Sequence, residues 1–75
     1  MGKNVDVKIA GRDYTLSTVE SEEYMQRLAD YVSARILGFK RQNGASPLDA
    51  ATMAAMAIAD ELFREKRDRE SEKGR

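Results

Sequence analysis

Apolar and polar residues alternate along the first part of the chain. From residue 3 to residue 16 this alternation is interrupted once, around Gly11, and such alternation is typical of strands with one buried face. The segment therefore predicts a β-hairpin. Its two-residue loop can lie at Ala10-Gly11 or at Gly11-Arg12, and both registers put the apolar side chains on one face. In either case Gly11 can supply the positive φ that the turn requires.

After residue 20 the apolar residues recur at three- and four-residue steps, which predicts a first helix from residue 20 to about 42. Ser17 with Glu20, or Ser21 alone, can cap its start. Asn43-Gly44 predicts its end, with one of the two in the left-handed conformation. The buried stripe is expected to contain Met25, Leu28, Val32, Ile36 and Phe39, widened by Tyr24 and Tyr31.

A second helix is predicted from Pro47 to about residue 70, with Ser46 as its cap and Pro47 in the first helical position. Twelve of the seventeen residues from Pro47 to Phe63 are apolar, which is more than a helix on one small core requires. These residues form two stripes about 150° apart. One stripe contains Leu48, Ala51, Ala55, Ile58 and Leu62, and the other contains Met53, Met56, Asp60 and Phe63. One stripe is expected to pack on the hairpin and first helix and the other on a second chain, and the pattern leaves open which is which.

These elements predict an α+β fold with the order ββαα. Residues 1–45 are expected to form a ββα head, and residues 46–75 a dimerisation helix with a charged, fraying end. A core of this size rarely supplies more than about 3–5 kcal/mol, and the 75 residues include no Cys and no His. Because disulfides are excluded and the commonest metal ligands, His and Cys, are missing, oligomerisation is the expected source of further stability. The expected dimer interface comprises Ala51, Met53, Ala55, Met56, Ile58, Leu62 and Phe63.

Charge and residue types argue against several classes of function. Thirteen basic residues balance thirteen acidic ones, which is not the pattern of a protein that wraps duplex DNA. The apolar runs are too short to span a membrane. Without His there is no usual general base, and the adjacent carboxylates at Glu22-Glu23 and Asp60-Glu61 are interpreted as capping or solvated groups. We therefore expect no enzymatic activity, cofactor, bound metal, nucleic-acid partner or membrane insertion.

Three basic residues have two interpretations. Arg12 is expected to project from the hairpin tip, clear of the apolar face, and Lys40 and Arg41 end the first helix. In the first, Arg12 is an exposed turn residue, and Lys40 and Arg41 complement the negative end of the helix dipole. In the second, the three residues form a contact for an acidic partner.

Three segments in this order resemble the ZapA family of bacterial cell-division proteins: residues 5–16 (VDVKIAGRDYTL), residues 24–32 (YMQRLADYV), and residues 48–62, with LDAA and AAMAIADEL. The resemblance implies a ββα head followed by a long helix, and a cytoplasmic homodimer at the mid-cell division site. It also implies a non-enzymatic adaptor that binds FtsZ polymers and bridges their protofilaments.

Basic residues on the head are implicated in the FtsZ contact of this family. The match carries that role to Arg12 and Lys40, with Arg41 beside them. Members usually continue into an apolar coiled coil that joins two dimers, whereas the apolar pattern here ends at Phe63. A dimer is therefore expected and a tetramer is left open. The alternative to the adaptor function is that of a small dimeric nucleic-acid-binding regulator.

Overall fold

The computed structural model describes residues 2–73, with side chains for residues 2–70. Two strands, β1 (Lys3–Ile9) and β2 (Arg12–Thr18), precede two helices, α1 (Glu22–Asn43) and α2 (Pro47–Lys73). The predicted ββαα order and α+β class are confirmed. The predicted bounds differ from these by two or three residues at the start of α1 and the end of α2.

The hairpin uses the first of the two registers that its sequence allowed. β1 and β2 are antiparallel, with Val5 opposite Leu16 and Val7 opposite Tyr14, so the loop is Ala10-Gly11. Side chains alternate between the two faces of a strand, and this register puts the apolar residues of both strands on one face. On the outer face the Thr15 hydroxyl donates to Asp6 at 2.7 Å.

The core lies between β1 and α1. Val5, Val7 and Ala29 are 2–3% exposed, and Ile9, Leu16 and Met25 pack around them. Within the described residues β2 contacts β1 but neither helix, whereas β1 contacts α1. Helix α1 therefore covers β1, whereas β2 lies beside β1 and outside the area that α1 covers.

Capping groups fix both ends of α1. The Ser21 side chain accepts a hydrogen bond from the Tyr24 backbone N–H at 3.1 Å, so the helix is capped by Ser21 rather than by Ser17. Gly44 adopts φ 60° and ψ 26°, and its N–H donates to the Lys40 carbonyl. Because the left-handed conformation is easy for glycine, the chain can leave the helix there and turn back.

The start of α2 is as predicted. Pro47 is its first residue, and the Ser46 hydroxyl accepts a hydrogen bond from the Asp49 N–H at 3.2 Å. Pro is favoured at this position because its missing N–H has no partner inside a helix and its φ is already helical. The helix continues through the charged segment to Lys73, and residues 74–75 lie outside the described residues.

One stripe of α2 was predicted to pack on the hairpin and first helix, and this prediction is wrong for the hairpin. In residues 2–73, α2 contacts α1 and neither strand. Its fully buried positions are Ala50 and Ala54, at 0% and 1% exposure, and neither belongs to a predicted stripe. Six alanines in this segment allow several apolar faces of similar hydrophobicity, so spacing alone could not select the face that meets α1.

Candidate interaction surface

The tip of the hairpin is held against α1. Ala10 and Gly11 both have positive φ, at 51° and 86°, as a two-residue hairpin turn with the twist of the strands requires. The backbone N–H of Ala10 donates to the Ser33 hydroxyl at 2.9 Å. This bond fixes the position of the turn over the middle of the helix.

Arg12 directly follows this turn as the first residue of β2. It is exposed and lies opposite Ile9, so strand alternation puts it on the same face as Val7 and Tyr14. The expectation that it stands clear of the apolar face is therefore wrong. Arg12 extends the apolar face at its outer end and keeps its charge in solvent.

Lys40 and Arg41 lie in the last turn of α1, and both are exposed. Lys40 follows Ser33 by seven residues, which is about two turns, so both residues lie on the same side of the helix. Since Ser33 binds the hairpin turn, Arg12 and Lys40 lie along one side of the head. Arg41 is rotated from Lys40 by about 100°. It therefore faces another direction, and we call Arg12 and Lys40 alone the basic side.

Several of the expected interface residues on α2 are open to solvent in the single chain. Met56 is 70% exposed and Phe63 66%, and Leu48 is 76% exposed near the start of the helix. Leu62, Ala51 and Ala55 are also exposed, and Met53 and Ile58 are half-buried. The fold therefore leaves a large part of this apolar surface without a covering element of its own chain.

A polar network between the two helices was missed by the sequence analysis. The Tyr31 hydroxyl donates to Glu61 Oε1, and Arg35 Nη2 lies 2.6 Å from Glu61 Oε2. The hydrogen bond to Glu61 raises the pKa of Tyr31 above its usual value, because it favours the protonated phenol. The sequence pattern placed Tyr31 in an apolar stripe and Glu61 on a solvated face. No short-range signal could connect them, since thirty residues separate the two.

Three other kinds of feature are absent from the described residues. Within residues 2–73 there is no group of three or more acidic, His or Cys side chains close enough to hold a metal ion. Among the same residues, neither helix is long and apolar enough to cross a bilayer. No polar or charged side chain of residues 2–70 is fully buried. The notable features are thus the basic side, the apolar surface of α2 and the network at Glu61.

Comparison with known proteins relates these features to a family. The family model described as "Cell division protein ZapA" matches residues 5–75. Among solved structures, a ZapA mutant dimer from Geobacillus stearothermophilus is 26% identical and covers 95% of this chain and 84% of its own, with a TM-score of 0.75. A search of curated proteins gave no match. The family match extends over nearly the whole chain, and the chain belongs to the ZapA family of cell division proteins.

Proposed function

We propose that this protein is a non-enzymatic adaptor that binds FtsZ and bridges its protofilaments as a homodimer. The observation that carries the proposal is the family match over residues 5–75. The basic side and the apolar surface of α2 add physical support, because one suits an acidic partner and the other suits a second copy. No cofactor takes part, and the site of action is the division ring in the cytoplasm.

The exposed apolar residues support dimerisation. Met56, Leu62 and Phe63 are between 48% and 70% exposed, and apolar surface left open to solvent on this scale is typical of an interaction site. The nearby Ala51 and Ala55 are small enough to let a second helix approach closely. The structural neighbour from Geobacillus is itself a dimer. We expect the second chain to pack on α2 at these residues.

The basic side supports contact with an acidic surface of the filament. Arg12 and Lys40 lie along one side of the head, and a guanidinium can bind a carboxylate in a fixed orientation. Two heads on one dimer convert the second contact into an intramolecular one, so weak sites suffice for cross-linking. The balanced overall charge favours this role over nucleic-acid binding, which needs a net basic surface.

The test is co-sedimentation with FtsZ polymers, comparing wild type with Arg12→Glu. We expect Arg12→Glu to remain folded by circular dichroism and to bind FtsZ about tenfold more weakly or worse, since a charge-assisted contact contributes about 1.5–3 kcal/mol. Lys8→Glu is the matched control. Lys8 is exposed and pairs with Asp13 on the outer face of the same hairpin, and its reversal should weaken binding less.

The dependence of FtsZ binding on salt concentration is a second test of the Arg12 contact. Wild-type binding should weaken as salt rises from low to physiological concentration, because exposed charges are screened, and Arg12→Glu should show a smaller salt dependence. If Arg12→Glu and Lys8→Glu bind FtsZ equally well across this range, Arg12 is only a turn residue. Failure of the wild-type protein to co-sediment with FtsZ at any salt concentration would overturn the proposed function itself.

A further inference from the structure

Among residues 2–70, the polar contacts with α1 that lie furthest along α2 are those of Glu61. Its two carboxylate oxygens bind different groups of α1: Oε1 accepts from the Tyr31 hydroxyl and Oε2 lies 2.6 Å from Arg35 Nη2. Tyr31 and Arg35 are one turn apart and lie on the same face of α1. Two anchors on one carboxylate restrict both the rotation of α2 about its axis and its position along α1.

The apolar contact between the helices is poorly suited to this task. Its fully buried residues on α2 are Ala50 and Ala54, whose single methyl groups form shallow ridges. Specific helix packing depends on ridges that fit into grooves, so alanine contacts permit small rotations and shifts at little cost. A polar pair can define the register where apolar packing does not, and this is the best-attested use of such groups.

The surroundings of the Arg35 side chain make its pairing with Glu61 important. Its Nε is buried and has no hydrogen-bond partner among the described residues, and Arg35 lines a pocket of about 130 Å³ together with Gly38 and Phe39. Removal of Glu61 would therefore leave a half-buried cation without its carboxylate. Without this partner Arg35 can turn toward solvent, since its side chain is 36% exposed, and α2 loses its polar link to α1 at this point.

From these contacts we infer that Glu61, with Tyr31 and Arg35, sets the angle at which α2 leaves the head. The pair remains partly exposed, at 36% for Arg35 and 43% for Glu61, and exposed pairs contribute little to stability. Its main effect is thus on orientation. The inference concerns one chain and does not depend on FtsZ binding. In a dimer joined through α2, the same angle determines how the two basic sides are presented.

The angle can be measured as a distance within one chain. Since the chain has no Cys, spin labels can be attached at Arg27→Cys on α1 and Glu70→Cys on α2, both at exposed positions. Doubly labelled chains are diluted with excess unlabelled protein of the same variant, so that only distances within a chain contribute. A tilt of about 15° at Ala54 moves residue 70, about 24 Å further along the helix, by about 6 Å.

We expect Glu61→Ala to shift or broaden the distance distribution by about 5 Å or more, with unchanged helix content. Glu61→Gln, which keeps an acceptor for Tyr31, should give a smaller change. Asp60→Ala is the matched control. It removes the 2.9 Å pair with Arg64 within the same helix and should leave the distribution as in wild type.

Two results would overturn the inference. One is a Glu61→Ala distribution equal to that of Asp60→Ala. If Glu61→Ala does not fold, the double variant Tyr31→Phe with Arg35→Gln removes both anchors from the other side, and an unchanged distribution there has the same meaning. FtsZ co-sedimentation of the wild-type protein is a separate measurement, so its failure would leave the inference on Glu61 intact.

Discussion

At the scale of single residues, Ala10 is the one non-glycine residue of residues 2–73 with a positive φ, at 51°. The left-handed conformation costs an L-residue with a Cβ about 1–2 kcal/mol, whereas Asn tolerates it and Asn-Gly is the preferred sequence for this turn. The chain accepts the strain because the turn must follow the twist of the strands and direct the Ala10 N–H at Ser33.

We expect Ala10→Asn to stabilise the fold by about 0.5–1 kcal/mol, measured by urea unfolding. Ser33→Ala is the companion variant, and loss of its hydroxyl should cost about 1 kcal/mol. Because Asn at residue 10 still adopts the left-handed conformation more easily than Ala, Ala10→Asn should also stabilise the Ser33→Ala protein. A destabilised Ala10→Asn protein would show that the turn is not strained at this residue.

Tyr31 makes alkaline stability depend on one hydrogen bond. The bond to Glu61 is the main cause that raises its pKa above the usual 10.0, desolvation and the charge of Glu61 act in the same direction, and the Arg35 cation opposes them. A raised pKa in the folded state means that folding favours the neutral phenol. The stability that this hydrogen bond adds to the folded state is therefore fully present below pH 10 and is lost as the pH rises through the raised pKa.

We expect the melting temperature of the wild-type protein to fall more steeply above about pH 10 than that of Tyr31→Phe. Tyr24→Phe is the control, since Tyr24 lies two turns earlier on the same helix and is similarly exposed, at 45% against 47%. It should keep the wild-type slope. Equal slopes for Tyr31→Phe and wild type would mean that the phenol of Tyr31 gains nothing from Glu61.

At the scale of elements, the sequence predicted what capping and alternation encode. Ser21, Gly44 and Ser46 mark the helix ends by local hydrogen bonds that a few neighbouring residues determine. The rule that apolar side chains share one face reduced the hairpin to two registers but could not choose between them. The buried face of α2 was not predictable in the same way. Ala50 and Ala54 differ from the exposed Ala51 and Ala55 only in what lies opposite them, and that depends on the path of the whole chain.

The candidate site shows the same division. As contact residues, Arg12, Lys40 and Arg41 stay predictions made from residue type and position in their elements. The structure adds their placement, and Arg12 lies on the apolar face because the loop is Ala10-Gly11. The network of Tyr31, Arg35 and Glu61 joins two helices. Such long-range pairs leave no periodic trace in a sequence, and only the packed structure brings them together.

Gly38 lies inside the continuous helix α1, and no contact among the described residues requires a glycine there. A Cβ built there would meet nothing within 4 Å among the described residues, and its φ lies outside the range that strains other residues. Gly38→Ala should therefore stabilise the isolated fold by about 0.5–1 kcal/mol, because Ala loses less backbone entropy in a helix. Thermal unfolding of dilute protein measures this change.

Gly44→Ala is the contrasting variant for Gly38→Ala. Gly44 ends the same helix with φ 60°, and a Cβ in this conformation is strained whatever space surrounds it. The same substitution should thus destabilise the protein at residue 44. A loss of stability at both positions would show that something outside the single chain needs the space beside Gly38.

At the scale of the whole molecule, a substitution at Met56 can change dimer formation without changing the folding of the single chain. Because its side chain is 70% exposed in the single chain, a carboxylate at this position stays in solvent unless a second chain covers it. In a dimer interface an unpaired carboxylate costs several kcal/mol. We expect Met56→Glu to raise the dimer dissociation constant by about 100-fold or more, measured by sedimentation equilibrium.

Asn4→Glu is the control for Met56→Glu, since Asn4 is exposed on the outer face of the hairpin and the substitution adds the same charge. It should leave the dissociation constant within about threefold of wild type. Dimers of Met56→Glu as tight as those of Asn4→Glu would exclude the α2 surface around Met56 as the interface.

The way in which the elements contact one another also affects how the protein folds. β2 contacts β1, β1 contacts α1, and α1 contacts α2, so each element meets a partner that is adjacent, or separated by one hairpin strand, along the chain. Proteins dominated by such local contacts fold in microseconds to milliseconds. In the proposed dimer each chain would therefore be ordered long before it meets another at micromolar concentration. The encounter of two chains, rather than the folding of either one, would then set the speed at which the dimer forms.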